Sequence, residues 1–90
     1  MWKVKYTKRF LKELSKLPEN IQEKVENIVF TELKEGDPFS LGYVERLKGF
    51  RDKYKIRVGN YRIGLKIDKE RKEVICLRVA HRKDIYKLFP

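Results

Sequence analysis

Two alternating runs on either side of Gly59-Asn60 constrain this chain more than any other feature. Tyr54–Val58 and Tyr61–Asp68 switch between apolar and polar residues with a period of two, the pattern of strands with one buried face. A Gly-Asn pair between such runs predicts a tight antiparallel hairpin. With a two-residue loop, facing positions carry numbers that sum to 119. Val58 then faces Tyr61, Ile56 faces Ile63 and Tyr54 faces Leu65, all on the side that needs covering. On the other side Arg57 opposes Arg62, Lys55 opposes Gly64 and Lys53 opposes Lys66.

The first half of the chain supplies the cover. Trp2, Val4 and Tyr6 alternate with Lys3 and Lys5 as a strand does. Thr7 is a helix cap, followed by Phe10, Leu11, Leu14 and Leu17 at helical spacing. Pro18 interrupts, and Glu19 opens a second helix with the stripe Ile21, Val25, Ile28, Val29 and Leu33. Gly36, Asp37 and Pro38 stop it. The outer faces of both helices mix charge signs, which reads as scaffold. A loop over 36–43 leads to a short strand at Val44–Leu47. A last strand is expected at Val74–Ala80, with Ile75, Leu77 and Val79 facing the core and Arg78 on the basic side. The tail from His81 to Pro90 has room for a final helical turn. The predicted class is α+β: an N-terminal strand and a helical hairpin packed on one face of a small, mainly antiparallel sheet, with a short C-terminal tail. At 90 residues this is one domain, residues 1–90.

Composition narrows the function classes. A single cysteine, Cys76, and a single histidine, His81, exclude an internal disulfide and a conventional Cys/His zinc site. No metal and no cofactor is expected. No apolar run approaches the roughly 20 residues of a membrane span, and the N-terminus has no signal-peptide core. The expectation is a cytoplasmic chain without a membrane partner.

Charge is the remaining constraint. The chain carries 23 Lys and Arg against 13 Asp and Glu, a net +10. Residues 1–45 hold eight of each sign, so the whole excess follows residue 45, along with seven of the eight arginines. Like charges facing each other across a strand pair are destabilising, so opposing Arg57 to Arg62 makes sense on a face that meets an anion. Rows of basic residues also serve to blunt sheet edges. Lys53, Lys66 and Arg78 extend the basic side, and Gly64 leaves room for a nucleotide to approach the backbone.

Catalysis leaves fainter marks. The basic half offers only Asp52, Asp68, Glu70, Glu73 and Asp84 as carboxylates, mostly at turns. No paired carboxylates, phosphate loop or serine triad stands out, and Cys76 reads as a packing residue. RNA, however, brings its own 2′-OH nucleophile. A protein cutting it has only to orient that hydroxyl, stabilise charge on the phosphate and move protons. Lys55 is placed for proton transfer among arginines. His81, Arg82 and Tyr86 follow the last strand, where they can supply proton transfer and phosphate contacts; His81 is equally a supporting residue.

The order of motifs resembles the RelE/ParE toxin superfamily, nearest to RelE-type toxins of type II toxin–antitoxin pairs. The resemblance covers the whole chain: a strand entering Thr7-Lys8-Arg9-Phe10-Leu11-Lys12-Glu13-Leu14, then Leu17-Pro18, then Leu47-Lys48-Gly49. Tyr54-Lys55-Ile56-Arg57-Val58-Gly59-Asn60-Tyr61-Arg62 and Val79-Ala80-His81-Arg82-Lys83-Asp84-Ile85-Tyr86 complete it. It implies an endoribonuclease that cuts mRNA in the ribosomal A site through the 2′-OH. It implies catalytic roles for Lys55, Arg57, Arg62, Arg82 and Tyr86, and Lys53, Lys66 and Arg78 on the same basic side are the candidate RNA contacts. It also implies a RelB-like antitoxin, joined in a hetero-oligomeric complex, besides the ribosome and mRNA as partners. The exposed apolar tail Leu88-Phe89-Pro90 suits such a partner. The alternative within the superfamily is a ParE-like DNA gyrase inhibitor without RNase activity.

Overall fold

The computed structural model describes residues 2–90. Gly59, at φ 59°, and Asn60 turn the chain between β3 (Lys53–Val58) and β4 (Tyr61–Asp68). The expected register holds at every rung from Lys53–Lys66 to Val58–Tyr61. β5 (Glu73–His81) pairs antiparallel with β4, and β1 (Lys3–Tyr6) lies parallel to β5. On the far side β2 (Val44–Arg46) pairs antiparallel with β3. Among the described residues these form one five-stranded sheet, in the order β1-β5-β4-β3-β2.

The last strand departs from expectation. Gly64 pairs with Arg78 while Leu65 pairs with Cys76, so Leu77 is left without a partner in the ladder. This bulge reverses the alternation. Val74, Cys76 and Val79 face the core, whereas Ile75 pairs with Lys66 and Lys5 on the opposite face. Val79 was expected inside; Ile75 and Leu77 were not correctly placed. The run from Val74 to Leu77 is apolar at every position, so a one-residue slip leaves no mark in the pattern.

Two helices cover the core face. α1 (Lys8–Leu14) begins at Thr7, whose Oγ1 accepts from the Phe10 amide at 3.0 Å and donates to the Leu77 carbonyl at 3.0 Å. One hydroxyl thus caps the helix and fastens it to the bulge. Phe10 and Leu14 are buried, while Leu11 is exposed. α2 (Glu19–Phe30) is shorter than its apolar stripe, because the chain leaves helical geometry at Thr31. Leu33 reaches the core from a 3₁₀ turn at Glu32–Lys34. The 36–43 loop contains a second such turn, Pro38–Leu41, with the Asp37 carboxylate accepting from the Phe39 amide. Phe10, Val25, Val29 and Leu33 meet Ile56, Ile63, Leu65, Val74 and Cys76 in one core.

The tail forms α3 (Arg82–Leu88), two turns where one was expected. The tail is also less exposed than predicted: Leu88 is exposed, but Phe89 is buried.

Beyond the bulge, the edge of β5 is closed by a side chain. Glu13 of α1 accepts from the Val79 amide at 3.1 Å and from Arg78, at 3.1 Å from Nε and 2.8 Å from Nη2. Both side chains are largely shielded from solvent. We expect Glu13→Ala to cost about 2–3 kcal/mol in urea unfolding, because it strands a charged fork and a strand amide together. A loss below about 0.5 kcal/mol, the scale of an exposed ion pair, contradicts that role.

Inside, the Tyr6 hydroxyl donates to the Val29 carbonyl at 2.6 Å, and burial pushes its phenol up to about 12. Burial pushes the neighbouring Cys76 thiol up to about 12 as well. Both acids are neutral in the fold and ionise more readily when unfolded. Their contribution is therefore complete below the unfolded values and is lost as pH rises toward about 12. Denaturant midpoints should fall above roughly pH 9–10. Tyr6→Phe should flatten part of that decline; an unchanged alkaline slope refutes the assignment.

Candidate functional site on the basic sheet face

Strand alternation puts Lys53, Lys55 and Arg57 of β3 beside Lys66, Gly64 and Arg62 of β4 on the side away from α1 and α2. Each cation is held differently. Lys53 Nζ lies 3.1 Å from Asp52 Oδ1, and this hydrogen bond holds the Asp52 carboxyl below the usual range. Arg57 Nε lies 3.4 Å from Glu45 Oε1 on β2. Arg62 folds over the hairpin turn, where Nη1 donates to the Gly59 and Tyr61 carbonyls at 2.9 Å each. Two backbone acceptors thereby hold its guanidinium despite the facing Arg57. Lys66 is exposed and, among the described residues, has no ion-pair partner.

α3 brings the remaining residues. The Arg82 amide donates to the Asn60 carbonyl at 2.7 Å, so the helix starts against the same turn that holds Arg62. His81 Nδ1 accepts from the Lys83 amide at 3.2 Å and caps α3, and its ring meets Tyr61 edge-on at 5.3 Å. One turn further, the Tyr86 ring lies under Lys55, 5.9 Å from Nζ to the ring centroid. Tyr86 is 68% exposed. An amine and a phenol from distant parts of the chain thus meet on one accessible surface.

What anchors α3 is Gly64. A Cβ there would lie 2.7–2.9 Å from the Phe89 ring, so the missing side chain makes room for Phe89, not for a nucleotide. With Ile85 also buried, α3 covers part of a face that alternation alone leaves open. Arg78 was expected among the free cations, but its guanidinium is engaged by Glu13 and also donates to the Leu88 carbonyl at 3.3 Å. Glu45, across from Lys55 on β2, was not anticipated. A count of carboxylates in residues 46–90 misses it by one position. Alternation along the short strand, with Val44 inward and Glu45 outward, was the available signal.

The architecture is that of a small α+β protein whose hairpin carries a cationic face, completed by a C-terminal helix. The family described as the ParE toxin of type II toxin-antitoxin system, parDE, matches residues 4–86. Toxin RelE3 of Methanocaldococcus jannaschii is 36% identical over 89 residues, 98% of this chain and 99% of its own. Toxin RelG of Mycobacterium tuberculosis is 34% identical over 84 residues, 93% and 94% of the two chains. In the RelB-RelE antitoxin-toxin complex from Methanococcus jannaschii, a chain superposes with a TM-score of 0.79 at 34% identity, covering 96% of this chain and 99% of that one.

The chain therefore belongs to the RelE/ParE superfamily of toxins of type II toxin–antitoxin systems, as its motif order implied.

Gly64→Ala tests the link between fold and site. The added methyl should cost about 1–3 kcal/mol and displace Phe89, raising hydrogen exchange in α3 while β3 and β4 stay protected. If α3 remains as protected as in the parent, Gly64 does not anchor it.

Proposed function

We propose that this toxin is an endoribonuclease that cuts mRNA in the ribosomal A site and so stops translation. The observation that carries the reading is the meeting of Lys55 with Tyr86 beside Arg57, Arg62 and Arg82. The substrate's 2′-oxygen attacks the adjacent phosphorus, and Lys55, in its neutral form, takes the hydroxyl proton. The P–O5′ bond breaks, a 2′,3′-cyclic phosphate remains, and Tyr86 supplies a proton to the leaving oxygen or stacks on a base. Arg62 and Arg82 hold the phosphate, with Arg57 released from Glu45 to join them. Lys53 and Lys66 follow the flanking strand. His81 supports the site by fixing the start of α3. Arg78 takes no RNA contact, since Glu13 already holds it. RNA supplies the nucleophile, so the reaction calls for no cofactor.

A RelB-like antitoxin is the proposed neutralising partner, in a hetero-oligomeric complex in the cytoplasm. The reading is supported by the likeness to the toxin chain of the Methanococcus jannaschii RelB-RelE complex and by a charge of +10 that suits an acidic partner. The match to a family described by its ParE members keeps a second reading in play, inhibition of DNA gyrase without RNA cleavage.

Primer extension on translating ribosomes separates the two. Breaks inside A-site codons are expected, slowed at least about 100-fold by Arg62→Ala or Arg82→Ala, the scale of losing one transition-state donor. Intact mRNA alongside gyrase-linked DNA breaks favours the second reading. His81→Asp preserves a helix cap and should keep most activity. Equal cutting by parent and a Lys55→Ala/Tyr86→Phe double variant overturns the roles assigned here.

A further inference from the structure

The charge count called the first half of the chain neutral, yet its charges are not mixed in space. At about 100° per residue, Lys8, Lys12, Lys16 and Arg9 fall within one sector of α1 and the turn that follows it. Glu13 borders that sector, and the five residues line one open cleft of ≈ 420 Å³. Glu13 is the carboxylate there, and Arg78 and the Val79 amide occupy it. Among the described residues none of the four cations has an ion-pair partner, and all are exposed. This arrangement opposes the stability of its own helix. Lys8 and Lys12 repel at i,i+4 spacing within α1, and the first turn of α1 has no acidic residue where the backbone dipole favours one.

We propose that the outer face of α1 is a second RNA-binding surface, one that takes the phosphate backbone of base-paired RNA. Its composition selects that form. Surfaces that bind single strands pair cations with exposed aromatic rings on which bases stack. The basic face of the sheet has such a ring in Tyr86. α1 has none, because its one aromatic, Phe10, is fully buried. Flexible cations without stacking partners suit a helix recognised by shape and phosphates. From Lys8 to Lys16 the row spans about 12 Å at 1.5 Å per residue, long enough to follow several phosphates. The two surfaces lie on different elements, so the protein can hold a single strand at Tyr86 while gripping structured RNA through α1. The inference stands whether or not the sheet face cuts RNA.

Fluorescence anisotropy with two probes tests it: an RNA hairpin of about 16 base pairs, the span of a double-stranded-RNA module, and a single strand of about 8 nucleotides carrying 2′-deoxy sugars. The Lys8→Ala/Lys12→Ala/Lys16→Ala variant should lose at least about tenfold in hairpin affinity, and its salt slope should fall by roughly 2–3. Single-strand binding should change less than about twofold. Arg62→Ala should do the reverse. Relief of like-charge repulsion should leave the Tm unchanged or raise it; if the triple variant melts early, Lys12→Gln alone should still weaken hairpin binding about threefold. Equal losses on both probes, or a parent that does not bind the hairpin, refute a distinct duplex surface. Displacement of the hairpin by poly-glutamate as readily as by unlabelled hairpin makes α1 a dock for an acidic protein and overturns the RNA assignment.

Discussion

The bulge at Leu77 is the constraint on which the rest of the structure depends. Its freed carbonyl accepts the Thr7 hydroxyl, which fixes where α1 begins. The shift brings Val74 and Cys76 to the core on the same face as Val79 and leaves Gly64 opposite Arg78. Past the bulge β1 has ended and β5 would present an open edge, a hazard for self-association. Glu13 closes it by accepting from the Val79 amide and the Arg78 fork.

The same local geometry sorts the charges. Arg78, read from its position as a free cation, becomes part of the fold because Glu13 stands beside it. Glu13, read as one of eight acidic residues balancing the first half, is thereby removed from its neighbours on α1. Neutrality by count thus becomes separation in space: a cationic helix face on one element, a cationic sheet face on another. Coulomb repulsion within each face is screened beyond about 10 Å at ordinary salt, so the fold tolerates both.

What was legible in the sequence follows from how strongly a pattern depends on local rules. The β3–β4 hairpin was readable rung by rung because charged and apolar residues alternate around a turn that only a few residue pairs form. α1 and α2 were readable from Thr7, Pro18 and their apolar stripes. β5 was readable as a strand but not in its parity, since Val74, Ile75, Cys76 and Leu77 are all apolar. The roles of Gly64 and Phe89 were hidden for another reason. Their contact joins residues 25 positions apart, and nothing in local composition says that a terminal phenylalanine will fill a gap left by a strand glycine. Glu45 was hidden by the shortness of β2, three residues that give little alternation to read.

That long-range contact makes the candidate site conditional. Lys55 and Arg62 belong to the hairpin and are positioned by the sheet. Arg82 and Tyr86 belong to α3, a helix of seven residues, too short to persist alone in water. It is held by Ile85 and Phe89 from one side, by the Asn60 carbonyl at its start and by Arg78 at the Leu88 carbonyl. The site's arginines therefore come from a rigid part and a docked part, and only docking brings Tyr86 to Lys55. Phe89 in the Gly64 gap, more than the net charge, is what sets Arg82 and Tyr86 beside the hairpin's cations.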